Sequence, residues 1–296
     1  MQVNQYWMCD EGRLSYPVFN ENRLYGPRVK GGIPITYDQA FTLVATALTQ
    51  AQSVLFVGSP YASLESNYAL KKLAEWKGKS PVYFLSYERK GWGDTLLRVD
   101  DCTPNRKGCE ILGLVQSKEE ELLSKAQEVD LIFCMEDEKL AQRLVEKGLG
   151  EKMIVVTAHQ YEGFEKARVN LPAAMSIEMF SIYVNVDGMA QMSYPVKQIR
   201  WMSPEMWMWL PKSRLDSSGV AIDNWRHPEH IVDCLPSWLM LSKIQEQVQG
   251  PFAPQRYDLV FQQLRSEYPD LLRHLDLPKR PPKSAFKRTQ LDFAIK

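Results

Sequence analysis

Four short apolar runs most constrain what this chain can fold into: Val54-Leu55-Phe56-Val57, Val82-Tyr83-Phe84-Leu85, Leu131-Ile132-Phe133-Cys134 and Met153-Ile154-Val155-Val156. Runs of this length read as strands buried on both faces. Segments with helical spacing lie between them. Thr36 followed by Gln39 forms a potential capping box for a helix whose Ala40, Leu43, Val44, Ala47, Leu48 and Ala51 share one face. A second helix, from about Ser63 to Trp76, is expected to bury Ala69, Leu70, Leu73 and Ala74. A long polar connection then leads to Ser117 and Glu120, a second capping-box pair, before a helix carrying Leu122, Leu123 and Ala126. Asp137 is positioned to cap a helix that stops at Gly148, and the Met153 run reads as the last clear strand. Strands separated by helices imply parallel pairing through right-handed crossovers. The expected class is α/β, a doubly wound parallel-sheet domain over residues 37–170.

The flanks differ in character. Residues 1–36 lack periodicity and read as a loop-rich entry. Residues 171–250 read as an irregular α+β region rich in Met, Trp and Pro (Trp201, Trp207, Trp209, Trp225, Trp238), with strand-like residues around Ile182-Tyr183-Val184-Asn185. Residues 251–296 offer a helix from about Gln255 to Tyr268 that buries Leu259, Val260 and Leu264. A basic tail follows, containing Arg273, Lys279, Arg280, Lys283, Lys287 and Arg288, expected to be extended and either partner-bound or disordered.

Charge and cysteine usage exclude several classes. Lys plus Arg and Asp plus Glu both number 36 among the 296 residues, so no global excess favours nucleic acid or an anionic membrane. No apolar run approaches the roughly 18 residues of a membrane span. No basic region followed by an apolar stretch opens the chain, so a cytoplasmic location is expected. Cys9, Cys102, Cys109, Cys134 and Cys234 are odd in number and dispersed, which argues against a disulfide framework. The missing Cys-x-x-Cys pair argues against a self-contained zinc or iron–sulfur site.

Five places carry candidate chemistry. The turn Gly58-Ser59-Pro60-Tyr61-Ala62-Ser63 precedes a helix N-terminus and would suit a phosphate, but it lacks both G-x-G-x-x-G and the P-loop lysine. The competing reading is a tight turn with a capping serine. His227, His230 and Cys234 have the spacing of partial metal ligands, yet Pro228 interrupts them and packed or surface histidines are preferred. Cys102, in the polar loop Asp101–Gly108, is either a nucleophile or soft-metal ligand, or a surface or packed thiol. Cys9 alone cannot hold a cluster that takes four thiolates. The basic and aromatic residues of Lys197–Lys212 read more simply as core than as a nucleic-acid surface.

Several blocks, in order, resemble a known family: Trp7-Met8-Cys9-Asp10-Glu11-Gly12-Arg13, Gly58 to Leu70, Thr103–Gly108 with Leu112-Gly113-Leu114, Leu171-Pro172-Ala173-Ala174, Glu178, and Asn185-Val186-Asp187-Gly188-Met189-Ala190-Gln191. Together they resemble the molybdopterin oxidoreductase superfamily, and within it the large iron–sulfur (G) subunit of bacterial NADH:quinone oxidoreductase (complex I). The resemblance implies a molybdopterin-oxidoreductase-type fold and makes residues 1–36 a remnant of the iron–sulfur region. It also implies that Cys9 is the last of four [4Fe–4S] ligands, usable only if three others come from upstream or from another polypeptide. The ferredoxin-like domain that carries the family's remaining clusters has no counterpart in this sequence. By the same resemblance Gly58, Ser59, Ser63, Asn185 and Asp187 fall in a vestigial pterin cleft, where Met189 replaces the usual arginine and argues against an anionic pterin dinucleotide. The second α/β domain of long family members is compressed, since only about 30 residues follow the Val82 strand before the next helix and strand.

The implied role is structural. The chain would belong to the peripheral arm that passes electrons from NADH to quinone, with other peripheral-arm subunits as partners. It would meet the cytoplasmic face of the inner membrane only through the complex, with no catalytic residue, no cofactor of its own and no molybdopterin. Two alternatives stand beside it: an active, formate dehydrogenase-like molybdopterin oxidoreductase with Cys102 on molybdenum, and a nucleotide-binding module built on Gly58–Ser63.

Overall fold

The computed structural model describes residues 10–96, 98–197, 199–201, 231–250 and 254–277. A short helix α1 (Asp10–Leu14) and two short strands, β1 (Arg28–Val29) and β2 (Ile33–Pro34), precede helix α2 (Tyr37–Gln50). Six parallel strands follow: β3 (Val54–Val57), β4 (Val82–Leu85), β5 (Val115–Ser117), β6 (Leu131–Met135), β7 (Met153–Thr157) and β8 (Val169–Pro172). The sheet order is β2-β1-β8-β7-β6-β3-β4-β5, with β1 and β2 antiparallel at one edge. The chain starts in the middle at β3, winds outward to β5, returns to β6 on the other side of β3 and continues to β8. A hairpin, β9 (Ser181–Val184) with β10 (Ala190–Ser193), stands apart as a second sheet.

Helices cover both faces of the large sheet, because its central strands are apolar on both sides. Leu55, Val57, Ile132, Cys134 and Val155 pack with residues of α5 (Glu119–Glu128) and α6 (Glu138–Glu146). The alternate residues Phe56, Phe133, Met135, Ile154 and Val156 point the other way, into a larger core shared with α2, α3 (Leu64–Trp76), α7 (Ser237–Gln249) and α8 (Tyr257–Glu267). The described residues of 171–250 contribute to this same core, and α7 packs across α2 and α3. Among the described residues no helix is long and apolar enough to cross a membrane.

Local signals explain most starts and faces. The Thr36 capping box forms: Gln39 N donates to Thr36 Oγ1 at 3.3 Å and Thr36 N donates to Gln39 Oε1 at 3.0 Å. Asp137 caps α6 by accepting from Leu140 N at 3.0 Å. In α2, Ala40, Val44, Ala47 and Leu48 are buried with Phe41, but Leu43 is exposed and Ala51 lies past the helix end. In α3, Glu65, Ser66 and Asn67 are buried along with the expected apolar face, because the sheet, α7 and the hairpin enclose the helix. Glu65 is satisfied there, accepting from Tyr257 Oη at 2.7 Å and from Ile182 N at 3.0 Å.

Four expectations need correction. The connection after Leu85 contains α4 (Arg106–Ile111) and strand β5, whose half-polar sequence Val115-Gln116-Ser117 suits an edge. Ser117 caps nothing, since its hydroxyl donates to Glu121 Oε2 at 2.7 Å and Lys118, at the cap position before α5, makes no side-chain cap. The Met153 run is not the last strand of the sheet, because β8 follows it, its run broken by Asn170. In α8, Leu259 is exposed and Phe261 takes its place in the core.

One buried ion pair joins the entry segment to the middle of the chain. Arg23 Nη1 and Nη2 each donate to one Glu178 oxygen at 2.7 Å, and neither side chain is solvent-exposed. Arg23 Nε also donates to Ala158 O at 3.1 Å, and Lys197 Nζ lies 3.2 Å from Glu178 Oε1. Burial would raise the Glu178 carboxyl, but Arg23 and Lys197 outweigh it and hold it below the usual carboxylate range. Breaking such a pair from one side leaves a charge short of its partner. Arg23→Met is expected to cost about 3–5 kcal/mol in urea unfolding, with part of the loss recovered in Arg23→Met/Glu178→Met. A loss within the scatter of surface substitutions would contradict this.

Candidate functional site

In open parallel sheets ligands bind beyond the carboxyl ends of the strands, where the winding direction reverses. Here that point lies between β3 and β6. Tyr61 from the turn after β3, Glu136 and Glu138 after β6, and Ala158 and His159 after β7 line a cleft of about 410 Å³. Pro104 and the segment Met175, Ser176, Tyr183 and Ser193 complete it, the last two contributed by the hairpin.

The turn itself is closed upon itself. Gly58, Ser59 and Ser63 are buried, and a Cβ on Gly58 would sit 2.6 Å from Asn67 Oδ1. Asn67 Oδ1 accepts from Ser59 N at 3.1 Å while its Nδ2 donates to Ser59 O at 2.8 Å. Ser59 Oγ accepts from Tyr61 N at 3.1 Å and donates to Glu136 O at 2.7 Å, pinning β3 to β6. Ser63 Oγ accepts from Ser66 N at 3.2 Å, so the helix start carries its own cap. A phosphate would have to displace these bonds.

The other expected residues are scattered. Asn185 Oδ1 accepts from Asp187 N at 3.1 Å and Met189 N at 2.9 Å, shaping the hairpin turn on which Asp187 is exposed. Cys102 is half-buried, its N–H donating to Tyr87 O at 3.0 Å. Cys234 packs within the ion-pair cluster, its sulfur 3.9 Å from both Arg23 Nη2 and Glu178 Oε2. Cys9, His227 and His230 lie outside the described residues, as do Trp207, Trp209, Trp225 and the tail from Lys279 onward. Among the described residues no three His, Cys, Asp or Glu side chains converge as a metal site. Burial pushes the Cys109, Cys134 and Cys234 thiols up, away from the thiolate that a cluster or metal requires.

The acidic residues at the end of β6 went unnoticed in the sequence, where Asp137 counted only as a cap. Glu136 adopts a left-handed backbone, φ +51°, which a residue other than Gly rarely holds outside a special site. Its Oε1 accepts from Ser237 Oγ at 2.6 Å, and burial pushes the carboxyl up to about 7. Burial likewise raises Asp137 to about 6, although Leu140 N and the Tyr87 hydroxyl, at 2.7 Å, pull it back. Burial also raises Glu138, but His159 and the Thr157 hydroxyl, at 2.7 Å, outweigh it and hold the carboxyl low. His159 is raised in turn, since Glu138 and Val18 O outweigh its burial. The signal that would have found this site is an acid triplet directly following an apolar strand. The cleft is thus walled by carboxylates, beside a turn in which the amides of Ser59, Tyr61 and Ala62 are already bonded.

No protein-family profile matches this chain. It is similar to the G subunit of NADH-quinone oxidoreductase from Shewanella oneidensis, with 45% identity over 94 residues that make up 30% of this chain and 10% of that protein. The same subunit from Pseudomonas fluorescens is 43% identical over 72 residues, 24% of this chain and 8% of that protein. For its counterpart from Escherichia coli K12 the figures are 40% over 75 residues, again 24% and 8%. The matched stretch thus spans a tenth or less of the length of these relatives.

The raised Glu136 carboxyl sets a pH dependence. A carboxyl whose folded value lies near 7 and whose ordinary value is 4.5 favours the folded chain at low pH and loses that contribution as pH rises between the two. Glu136→Gln does not titrate. Its stability relative to the parent should therefore grow by roughly 1–3 kcal/mol across that window, discounting the full linkage for solvent in the cleft. Urea midpoints at several pH values measure it, and a constant difference would contradict the assignment.

Proposed function

We propose that this chain is a structural component of an NADH:quinone oxidoreductase, akin to the G subunit, without chemistry or a molybdenum site of its own. The observation that carries the reading is the 40–45% identity to G subunits of that enzyme over about a quarter of the chain or more. The sheet is compatible with it: numbering the six parallel strands in chain order gives 6-5-4-1-2-3, a doubly wound arrangement. Carboxylates at the cleft speak for a scaffold that has lost its anionic cofactor. In this reading the partners are peripheral-arm subunits, the chain contacts the membrane only through the complex on its cytoplasmic face, and Cys9 completes a [4Fe–4S] cluster only with three cysteines from elsewhere.

The reading requires company. Native purification from membranes of the source cell, with mass spectrometry of the size-matched band, should find the chain with NADH-oxidising flavin and iron–sulfur subunits. Recovery as a lone polypeptide would overturn the assignment. Protein from a molybdenum-replete host should carry no stoichiometric molybdenum, whereas a full equivalent lost in Cys102→Ser would establish the formate dehydrogenase-like alternative instead.

A further inference from the structure

The switch-point cleft has the opposite polarity to a phosphate site, and its unused groups define what it fits. Glu138 is already matched by His159, whose Nδ1 lies 3.6 Å away. Glu136 uses one oxygen with Ser237, and among the described residues Oε2 has no hydrogen-bond partner. An independent group points the same way. Ser181 lies two residues before Tyr183 on β9 and directly opposite Ser193 on β10, so it shares the strand face of two cleft-lining residues. Its hydroxyl is buried behind the lining and makes no hydrogen bond of normal geometry, its polar neighbour being the Tyr183 hydroxyl of the same cleft face. A buried hydroxyl with no well-formed bond leaves this wall of the cleft with unused polar capacity.

The lining also selects the kind of ligand. Among the described residues no three His, Cys, Asp or Glu side chains converge on a bare metal ion. Tyr61, Met175 and Tyr183 instead offer apolar and aromatic surface for a carbon body, and aromatic faces attract cations. We propose that this cleft binds a small organic cation, an alkylammonium or alkylguanidinium group, with Glu136 as its carboxylate partner and Tyr61, Met175 and Tyr183 against its carbon body. The site belongs to the chain itself and does not depend on assembly into a larger complex.

Calorimetric titration of the full chain with n-butylguanidinium chloride, and with sodium n-butyrate as the charge-reversed probe at equal ionic strength, tests it. Saturable one-to-one uptake of the cation alone is expected. Glu136→Gln, which keeps the shape and an acceptor for Ser237, should weaken it at least tenfold. Tyr61→Ala, at the cleft wall, should weaken it severalfold and serves where the first variant does not fold. No saturable cation binding, equal binding of butyrate, or unchanged affinity in the folded variants would overturn the proposal.

Discussion

The Arg23–Glu178 pair is the constraint on which the described structure turns. Arg23 leaves the entry segment, Glu178 lies beyond the last strand of the large sheet, and the two are 155 residues apart. Their shared hydrogen bonds are charge-assisted and bidentate, the geometry in which a buried ion pair is best compensated. Ala158 O after β7 and Met175 N before Glu178 join the same network, so the carboxyl end of the sheet is clamped from both sides. Lys197 and Cys234 extend it towards the residues that lead into α7. The cleft wall formed by Ala158, His159 and Met175 therefore rests on this clamp.

What the sequence made legible was what neighbours in sequence decide. The apolar runs of β3, β4, β6 and β7, the Thr36 box and the Asp137 cap depend on residues within a turn or a strand of one another. Edge strand β5 was hidden because an edge needs no continuous apolar run. Strand β8 was hidden because Asn170 interrupts it, and Asn170 is tolerated there only because Tyr161 and Phe164 O pair with it. Leu43 and Leu259 show the same limit from the other side: spacing names a helical face, but its neighbours decide how wide the buried part is.

The site was less legible than the fold. Its lining comes from the ends of three central strands, from Pro104, from Met175 and Ser176 and from the hairpin, and no motif spans that distance. The resemblance drew attention to Gly58–Ser63, where the sequence pattern matches, yet the turn's polar groups are engaged with Asn67 and Glu136. Glu136, Glu138 and His159 stand where the resemblance offered no residue. Glu178 is the exception, quoted for its likeness and found at the centre of the clamp.

Glu65 has a consequence for the order in which the molecule is made. It sits in the first turn of α3 with no solvent access, yet it accepts from Ile182 N and from Tyr257 Oη in a helix close to the end of the described chain. When a ribosome has released every strand of the large sheet, Glu65 still lacks both of these donors. The early half therefore carries a vacancy that only late-synthesised residues fill, and the nascent sheet cannot reach its final packing until α8 has emerged.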